Sequence, residues 1–357
     1  MYKFLLYIAH PYSIPICKPL QEEIRKRGYD VQWFSELEYT KKYFEDNEPV
    51  LNTVEEVLAY NPHVVLTATD TVADFFPGIK VEIFHGFSAN KRPLMSDHFK
   101  IRGFFDLYLT QGPSTTEIFK QQAEKYGFFE VVQTGWPKVD PLFPIQEKPA
   151  TDKPVILISS TFTTRLSLAK NDAVFNEIAR LAATGKYQFL CVLHPKLDQE
   201  TKDKFIGLEG DNFNYYDTTN LIPLFKRADI MFSDTTSAII EFLLQQKPVV
   251  TFCNNKPGDH LIDVTEVSEI EGAIQLALTK PAATMAAIKD YVEWTHPYYD
   301  GKSSGRMIDA CIAFLNKDKS HLKPKPLNLV RKYKVRKLLK YFTLKTYRRP
   351  ITVKATR

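Results

Sequence analysis

The chain has 357 residues, 44% hydrophobic and 25% charged, a balance that excludes a disordered or fibrous protein and provides for two domains, each with its own core. Its net charge of +5 is unevenly spread: residues 319–357 hold 14 Lys/Arg and no Asp/Glu, while the remainder holds 33 basic and 42 acidic residues. An acidic body with a basic tail points to an anionic partner, such as a membrane surface, a polyanionic polymer or nucleic acid. Cys17, Cys191, Cys253 and Cys311 are scattered and form no C-x-x-C pair, so they read as reduced, buried thiols of a cytoplasmic protein. The apolar run in "MYKFLLYIAHPYS" is too short for a signal peptide, and no window approaches the ~20 apolar residues of a spanning helix.

Short β-rich runs alternate with helical stretches, the signature of parallel α/β sheets. Strands are predicted over 3–9, 31–35, 63–69, 80–84, 106–110 and 130–135, with a helix through "ICKPLQEEIRKRG" stopped at Gly28. The Pro-rich stretch 140–154 reads as an interdomain linker. The pattern restarts with strands over 155–160, 187–194, 212–216, 229–233 and 248–252, followed by helices over 268–279, 283–294 and 305–317. Two consecutive Rossmann-like domains, 1–145 and 146–318, follow, with the last helices crossing back to the first, 319–357 as a tail, and a cleft between the lobes. Parallel sheets bind ligands at the carboxyl ends of their strands, so residues just after each strand carry the functional expectation.

Those residues are informative. His85 and Gly86 follow one strand, His194 and Pro195 another, and "SDTTS" (233–237) a third, just before an apolar helix-like run. Asp234 is a suitable N-cap for that helix. One hydroxyl is enough for a cap, and the surplus of Ser233, Thr235, Thr236 and Ser237 favours an anion at the helix N-terminus. "DGKSSG" (300–305) contains Gly-Lys-Ser, but position 296, where a P-loop needs glycine, is His296. No D-x-D is present, and His63, His98, His260, His296 and His321 lack ligand spacing, so no metal cluster is expected.

"HGFSANK", "GWPKVD", "LHPK", "DIMFSDTTSAIIEFLLQQKPVVTF" and "YYDGKSSGRMID" stand in the same order as motifs of the CDP-glycerol glycerophosphotransferase family, and over about 80–310 the chain resembles that family of teichoic-acid primases and polymerases. Phe87 and Ser88 stand where the family reads Thr-Pro, and Lys138 where it reads Arg. The resemblance implies a GT-B fold, with an N-terminal acceptor lobe and a C-terminal lobe for a CDP-linked donor. The implied reaction moves an alditol phosphate, glycerol phosphate first among them, from a CDP-alcohol to a hydroxyl of a surface-glycan or lipid-linked acceptor, releasing CMP without a cofactor. His85 is the expected base and His194 the diphosphate-side donor. Arg165, 233–237 and Lys302 are expected on the donor side, and His10, Gly86, Lys91, Lys138 and Asp140 on the acceptor or phosphate side. Arg92 is a further candidate for phosphate.

In the tail, helical winding puts Val335, Leu338, Leu339 and Phe342 on one face among Lys and Arg. That suits an anionic membrane surface on the cytoplasmic side; no nucleic-acid reading motif accompanies the charge. Two rival readings use the same fold: a GT-B glycosyltransferase or UDP-sugar epimerase-like enzyme acting on a nucleotide sugar, and a non-catalytic glycan-binding protein.

Overall fold

The structure, a computed structural model, describes residues 1–87, 99–146, 148 and 151–342. The chain divides into two units. One comprises Met1–His85, Met95–Pro141 and Thr295–Arg357; the other comprises Gly86–Leu94 and Leu142–Trp294. The second unit therefore ends at Trp294 rather than at 318, and everything after it belongs to the first.

The first unit is built on seven strands: β1 (Lys3–Ile8), β2 (Asp30–Ser35), β3 (Val50–Leu51), β4 (Val64–Thr67), β5 (Ile79–Glu82), β6 (Leu107–Thr110) and β7 (Glu130–Gln133). Their order is β3-β2-β1-β4-β5-β6-β7, and every pairing is parallel. Continuous apolar runs such as Phe4–Leu5–Leu6–Tyr7–Ile8 are buried throughout, as a parallel sheet covered on both faces requires. Helices α1 (Ile14–Lys26), α2 (Val54–Tyr60) and α3 (Pro113–Tyr126) supply the crossovers. The start of α2 is fixed by a capping box between Thr53 and Glu56. The core is strongly aromatic, with Phe76, Phe84, Phe105, Tyr108 and Phe119 in one cluster.

The second unit has six strands: β8 (Val155–Ser160), β9 (Gln188–Leu193), β10 (Phe213–Tyr215), β11 (Ile230–Ser233), β12 (Val249–Phe252) and β13 (Ile262–Val264). They are parallel in the order β10-β9-β8-β11-β12-β13. Helices α4 (Asp172–Ala183), α5 (Gln199–Ile206), α6 (Ile222–Arg227), α7 (Ala238–Leu243), α8 (Ile270–Leu278) and α9 (Ala282–Thr295) follow in chain order. Two strands have no counterpart in the sequence reading. β3 has two residues and β13 has three, too few for alternation to register. β5 stops at Glu82, short of the expected 84, because Phe84 takes a left-handed φ of 59°.

The C-terminal segment is not a separate tail as far as residue 342. Helix α10 (Ser303–Asn316) packs on α1, and α11 (Leu329–Leu338) lies against the first unit. Val335 is buried, Leu339 and Tyr341 pack on the aromatic cluster, and Tyr341 stacks on Phe75 at 4.8 Å. Arg336 is fully buried; its guanidinium reaches Asp74 at 3.1 Å and lies 4.5 Å from the centre of the Phe75 ring. The expected single apolar face is thus divided: Val335 and Leu339 face the core, while Leu338 and Phe342 stay exposed. Residues 343–357 lie outside the described residues. Among the described residues, no helix is long and apolar enough to cross a membrane.

Truncating Arg336 takes from the half-buried Asp74 the nearer of its two cations, leaving Lys332 at 3.9 Å, and removes packing from Phe75. Arg336→Ala is expected to cost roughly 3–5 kcal/mol, read as a lowered urea midpoint of the full chain; an unchanged midpoint would show that α11 is not part of the first unit's fold.

Candidate active site

In an open parallel sheet, ligands gather where the strand order reverses, because crossovers leave in opposite directions there and open a crevice beyond the strand ends. In the second unit that point lies between β8 and β11, so the loop after β8 and the segment 234–237 share it. Asp234 is fully buried, and its carboxylate accepts hydrogen bonds from the Ser160 hydroxyl (2.6 Å), the Thr161 N–H (3.0 Å) and the Leu168 N–H (3.0 Å). It therefore does not cap α7, as its sequence position suggests; that helix has Ser237 at its N-cap without a side-chain cap bond. Loop closure wins because three donors converge on the carboxylate in the interior, where leaving any of them unpaired is costly.

Neighbouring side chains are also spent on structure. The Ser233 hydroxyl donates to the Ser159 carbonyl at 2.6 Å, and Thr235 Oγ1 accepts the Asn255 N–H at 3.1 Å. Asn254 Nδ2 donates to the Asp234 carbonyl at 2.9 Å. Thr236 and Ser237 remain half-exposed at the start of α7, and Gly86 lies beside them: a Cβ there would stand 3.8 Å from Ser237 Oγ. Of the expected five-residue cradle, Thr236 and Ser237 are the residues that stay half-exposed.

His194 follows β9. Its Nδ1 accepts the Lys196 N–H at 3.1 Å, which in the neutral ring leaves the hydrogen on Nε2 as a donor. Phe162, exposed in the loop that Asp234 holds, packs on the imidazole with ring centres 4.5 Å apart, and the Lys196 ammonium lies 5.4 Å from the centre of the Phe162 ring. Arg165 sits exposed in a 3-10 turn of the same loop, Thr164–Leu166. The structure thus brings His194 and the loop of Arg165 to one end of the second sheet. Phe162, which the sequence reading did not single out, joins them.

In the first unit the order reverses between β1 and β4. His10 and Tyr12 follow β1, Tyr39 lies in the 3-10 turn Glu38–Tyr43 after β2, and His85 follows β5. His10 Nδ1 is hydrogen-bonded to the Tyr39 hydroxyl. The Tyr12 ring centre is 5.3 Å from that of His10 and 6.0 Å from that of His85. His85 itself is exposed. The left-handed backbone at Phe84 is uncommon for a bulky residue; the Trp136 indole N–H, donating to the Phe84 carbonyl at 3.3 Å, holds it in place.

"GWPKVD" and "DGKSSG" meet, and chiefly as architecture. Gly135 has φ 84°, and a Cβ there would stand 2.4 Å from Ser303 Oγ, so no larger residue fits. The Trp136 N–H donates to His296 Nε2 at 3.0 Å. Asp140 is buried and accepts the Ser303 N–H (2.8 Å), the Ser304 N–H (2.7 Å) and the Ser304 hydroxyl (2.7 Å), capping α10 from another element. That use of its carboxylate replaces the expected role beside phosphate. Lys138 lies over the Trp136 ring at 5.4 Å. Lys302 belongs to the first unit and is exposed at the N-cap of α10. Lys91 and Arg92 lie outside the described residues.

Two carboxyl groups were not singled out from sequence. Glu36, at the end of β2, is hydrogen-bonded to the Tyr7 hydroxyl, and burial pushes its pKa up. Glu82 is buried and borders a cavity of about 10 Å³ lined by Asp70, Phe84, Arg102, Phe105 and Tyr108 among others. Burial first, and then the nearby Asp70, hold its carboxyl well above the usual range, with Arg102 and the Phe84 N–H pulling the other way. A lone glutamate in a strand carries no period or spacing that could have announced it.

Comparison with known proteins is consistent with this geometry. Residues 85–257 match the model of the CDP-glycerol:poly(glycerophosphate) glycerophosphotransferase family. No curated protein sequence matches the chain. Among solved structures, a variant of the wall teichoic acid polymerase TagF soaked with CDPG is 16% identical with a TM-score of 0.62, over 87% of each chain. The MnaA–UDP complex of S. aureus is 13% identical with a TM-score of 0.62, over 91% of this chain and 99% of that one. A UDP-GlcNAc 2-epimerase from Neisseria meningitidis bound to UDP-GlcNAc is 15% identical with a TM-score of 0.59, over 87% of this chain and 100% of that one. At these identities the likeness establishes the two-domain GT-B architecture.

Replacing Asp234 by alanine leaves the buried Thr161 and Leu168 amides without their acceptor, each worth about 1–3 kcal/mol, while the Ser160 hydroxyl keeps Ser167 as a partner at 2.9 Å. Asp234→Ala is expected to lower stability by about 2 kcal/mol or more and to open the 161–168 loop to hydrogen exchange. Normal protection of the Thr161 and Leu168 amides in that variant would refute the staple.

Proposed function

Residues 85–257 belong to the CDP-glycerol:poly(glycerophosphate) glycerophosphotransferase family, and from that premise we propose that the enzyme transfers glycerol phosphate from CDP-glycerol to a hydroxyl of a glycan or lipid-linked acceptor and releases CMP. An acceptor oxygen attacks the β-phosphorus, and the new P–O bond replaces the bond to the bridging oxygen. CMP leaves with that electron pair, and the hydroxyl proton passes to His85. Such a transfer depends on positioning and on hydrogen-bond donors for the diphosphate. Thr236, Ser237 and the Nε2 hydrogen of His194 supply donors, with Arg165 as the cation.

The observation that carries this reading is the division of labour in 233–237. Ser233, Asp234 and Thr235 are buried and engaged internally, while Thr236 and Ser237 are left open at the reversal point of the second sheet. Lys138, Lys302 and Lys91 contribute charge on the phosphate side in this reading. A nucleotide-sugar epimerase of the same fold would call on several open carboxylates, whereas Glu36 is bonded to Tyr7, Asp70 is paired with Arg102 at 2.8 Å and Glu82 is buried.

The basic C-terminal segment places the enzyme on the anionic inner leaflet, where a lipid-linked acceptor resides. The face that does so differs from the one the sequence suggested. Val330, Tyr333, Leu338 and Phe342 are exposed alongside Arg331, Lys334, Lys337 and Lys340. Each basic residue at such a surface contributes roughly 1 kcal/mol.

Three outcomes follow. His85→Ala is expected to lower CMP release in the presence of acceptor by ~10²–10⁴ with CDP-glycerol affinity little changed; near wild-type turnover removes His85 from the chemistry. The double variant Thr236→Ala/Ser237→Ala is expected to weaken CDP-glycerol binding about tenfold, roughly 1.4 kcal/mol, by titration calorimetry; unchanged affinity in a folded variant moves the donor elsewhere. For the membrane, Arg331, Lys334, Lys337 and Lys340 changed together to glutamate are expected to abolish sedimentation of the full chain with anionic vesicles. Equal sedimentation of both proteins would rule out this face.

A further inference from the structure

The reversal point of the first sheet carries more than the proposed base. Tyr12 and Tyr39 are large side chains with 37% and 49% of their surface open, beside His10 and His85. Tyrosines left open at the ligand end of a parallel sheet combine an apolar ring face with a hydroxyl at its edge. A sugar ring has the matching surface: axial C–H groups on its faces and hydroxyls around its rim.

Tyr12 also keeps its phenol hydrogen. Burial, and then Asp70, Tyr39 and Glu36, push the Tyr12 phenol up to about 12, so it stays a neutral hydrogen-bond donor. A terminal glycerol phosphate presents no ring for these exposed faces to stack on, whereas a terminal sugar does.

We propose that Tyr12 and Tyr39 form the acceptor subsite, Tyr12 stacking on the terminal sugar ring and Tyr39 bonding its hydroxyls, so that the acceptor is sugar-terminated rather than glycerophosphate-terminated. His10, hydrogen-bonded to Tyr39, is a positioning residue for that hydroxyl. This rests on the reading of His85 as the base, and it specifies which hydroxyl His85 receives: one on a sugar ring held against Tyr12.

The test separates the two claims. Saturation-transfer NMR of the full chain is run with methyl glycosides of glucose, galactose and their N-acetylamino forms, and with glycerol 3-phosphate. Transfer to ring protons of a glycoside is expected to exceed that to glycerol 3-phosphate. It should fall at least fivefold in Tyr12→Ala and be largely retained in Tyr12→Phe, with circular dichroism confirming that both variants fold. Stronger transfer to glycerol 3-phosphate, no transfer to any glycoside, or an unchanged signal in Tyr12→Ala overturns the subsite. CMP release is measured on the same samples. Its absence from the wild type with every acceptor overturns the transferase reading and leaves the binding result standing. In an active enzyme, Tyr12→Ala is expected to raise KM for a glycosyl acceptor at least fivefold without moving KM for CDP-glycerol.

Discussion

Both sheets of this protein are wholly parallel, and that constraint governs where everything else can be. A parallel sheet buried on both faces leaves little room for polar groups along its strands. Chemistry is driven to the strand ends, and among those ends to the place where the order reverses. The first unit reverses between β1 and β4 and the second between β8 and β11. His10 and Tyr12 follow β1, and the loop after β8 and the residues beyond Ser233 follow β8 and β11, so they stand at these points.

Loops at such ends need holding, and the protein uses the same device twice. Asp234 gathers the Ser160 hydroxyl and two loop amides, and Asp140 gathers the first amides of α10 and the Ser304 hydroxyl. A buried carboxylate is tolerable only when donors surround it. Each aspartate therefore fixes its own loop more firmly than a neutral cap would. Trp136 extends the same logic: its amide is tied to His296 and its indole to the Phe84 carbonyl, so the motif "GWPKVD" supports the strand end that presents His85 without having to contact a substrate.

How much of this was legible follows from range. Apolar runs in β1, β8, β9 and β11 announce themselves locally, and the observed strands fall within a few residues of the expected ones. The roles inside 233–237 do not, because Ser160, Thr161 and Leu168 are some seventy positions away in sequence, and only folding shows that Asp234 faces them rather than α7. Tyr12 and Tyr39 read as ordinary aromatics in a chain with 18 tyrosines; their exposure distinguishes them, and exposure is a tertiary property. β3 and β13 are too short to carry a period, and their pairing depends on a neighbour strand already in place.

The basic C-terminus shows the same limit from the side of charge. From sequence, 319–357 is a block of cations facing nothing, and its apolar residues fall on one helical face. In the fold, acidic side chains of the first unit meet part of it: Asp106 pairs with Lys325, Asp74 with Arg336 and Lys332, and Glu130 with His321. Pairing lowers the charge this segment can offer to any partner, and docking takes Val335 and Leu339 out of reach of a bilayer. What is left is a smaller surface of alternating basic and apolar side chains on a helix anchored by a buried arginine. The contacts of Arg336, Val335 and Leu339 hold that surface against the first unit. A flexible tail of equal charge would not be held in this way.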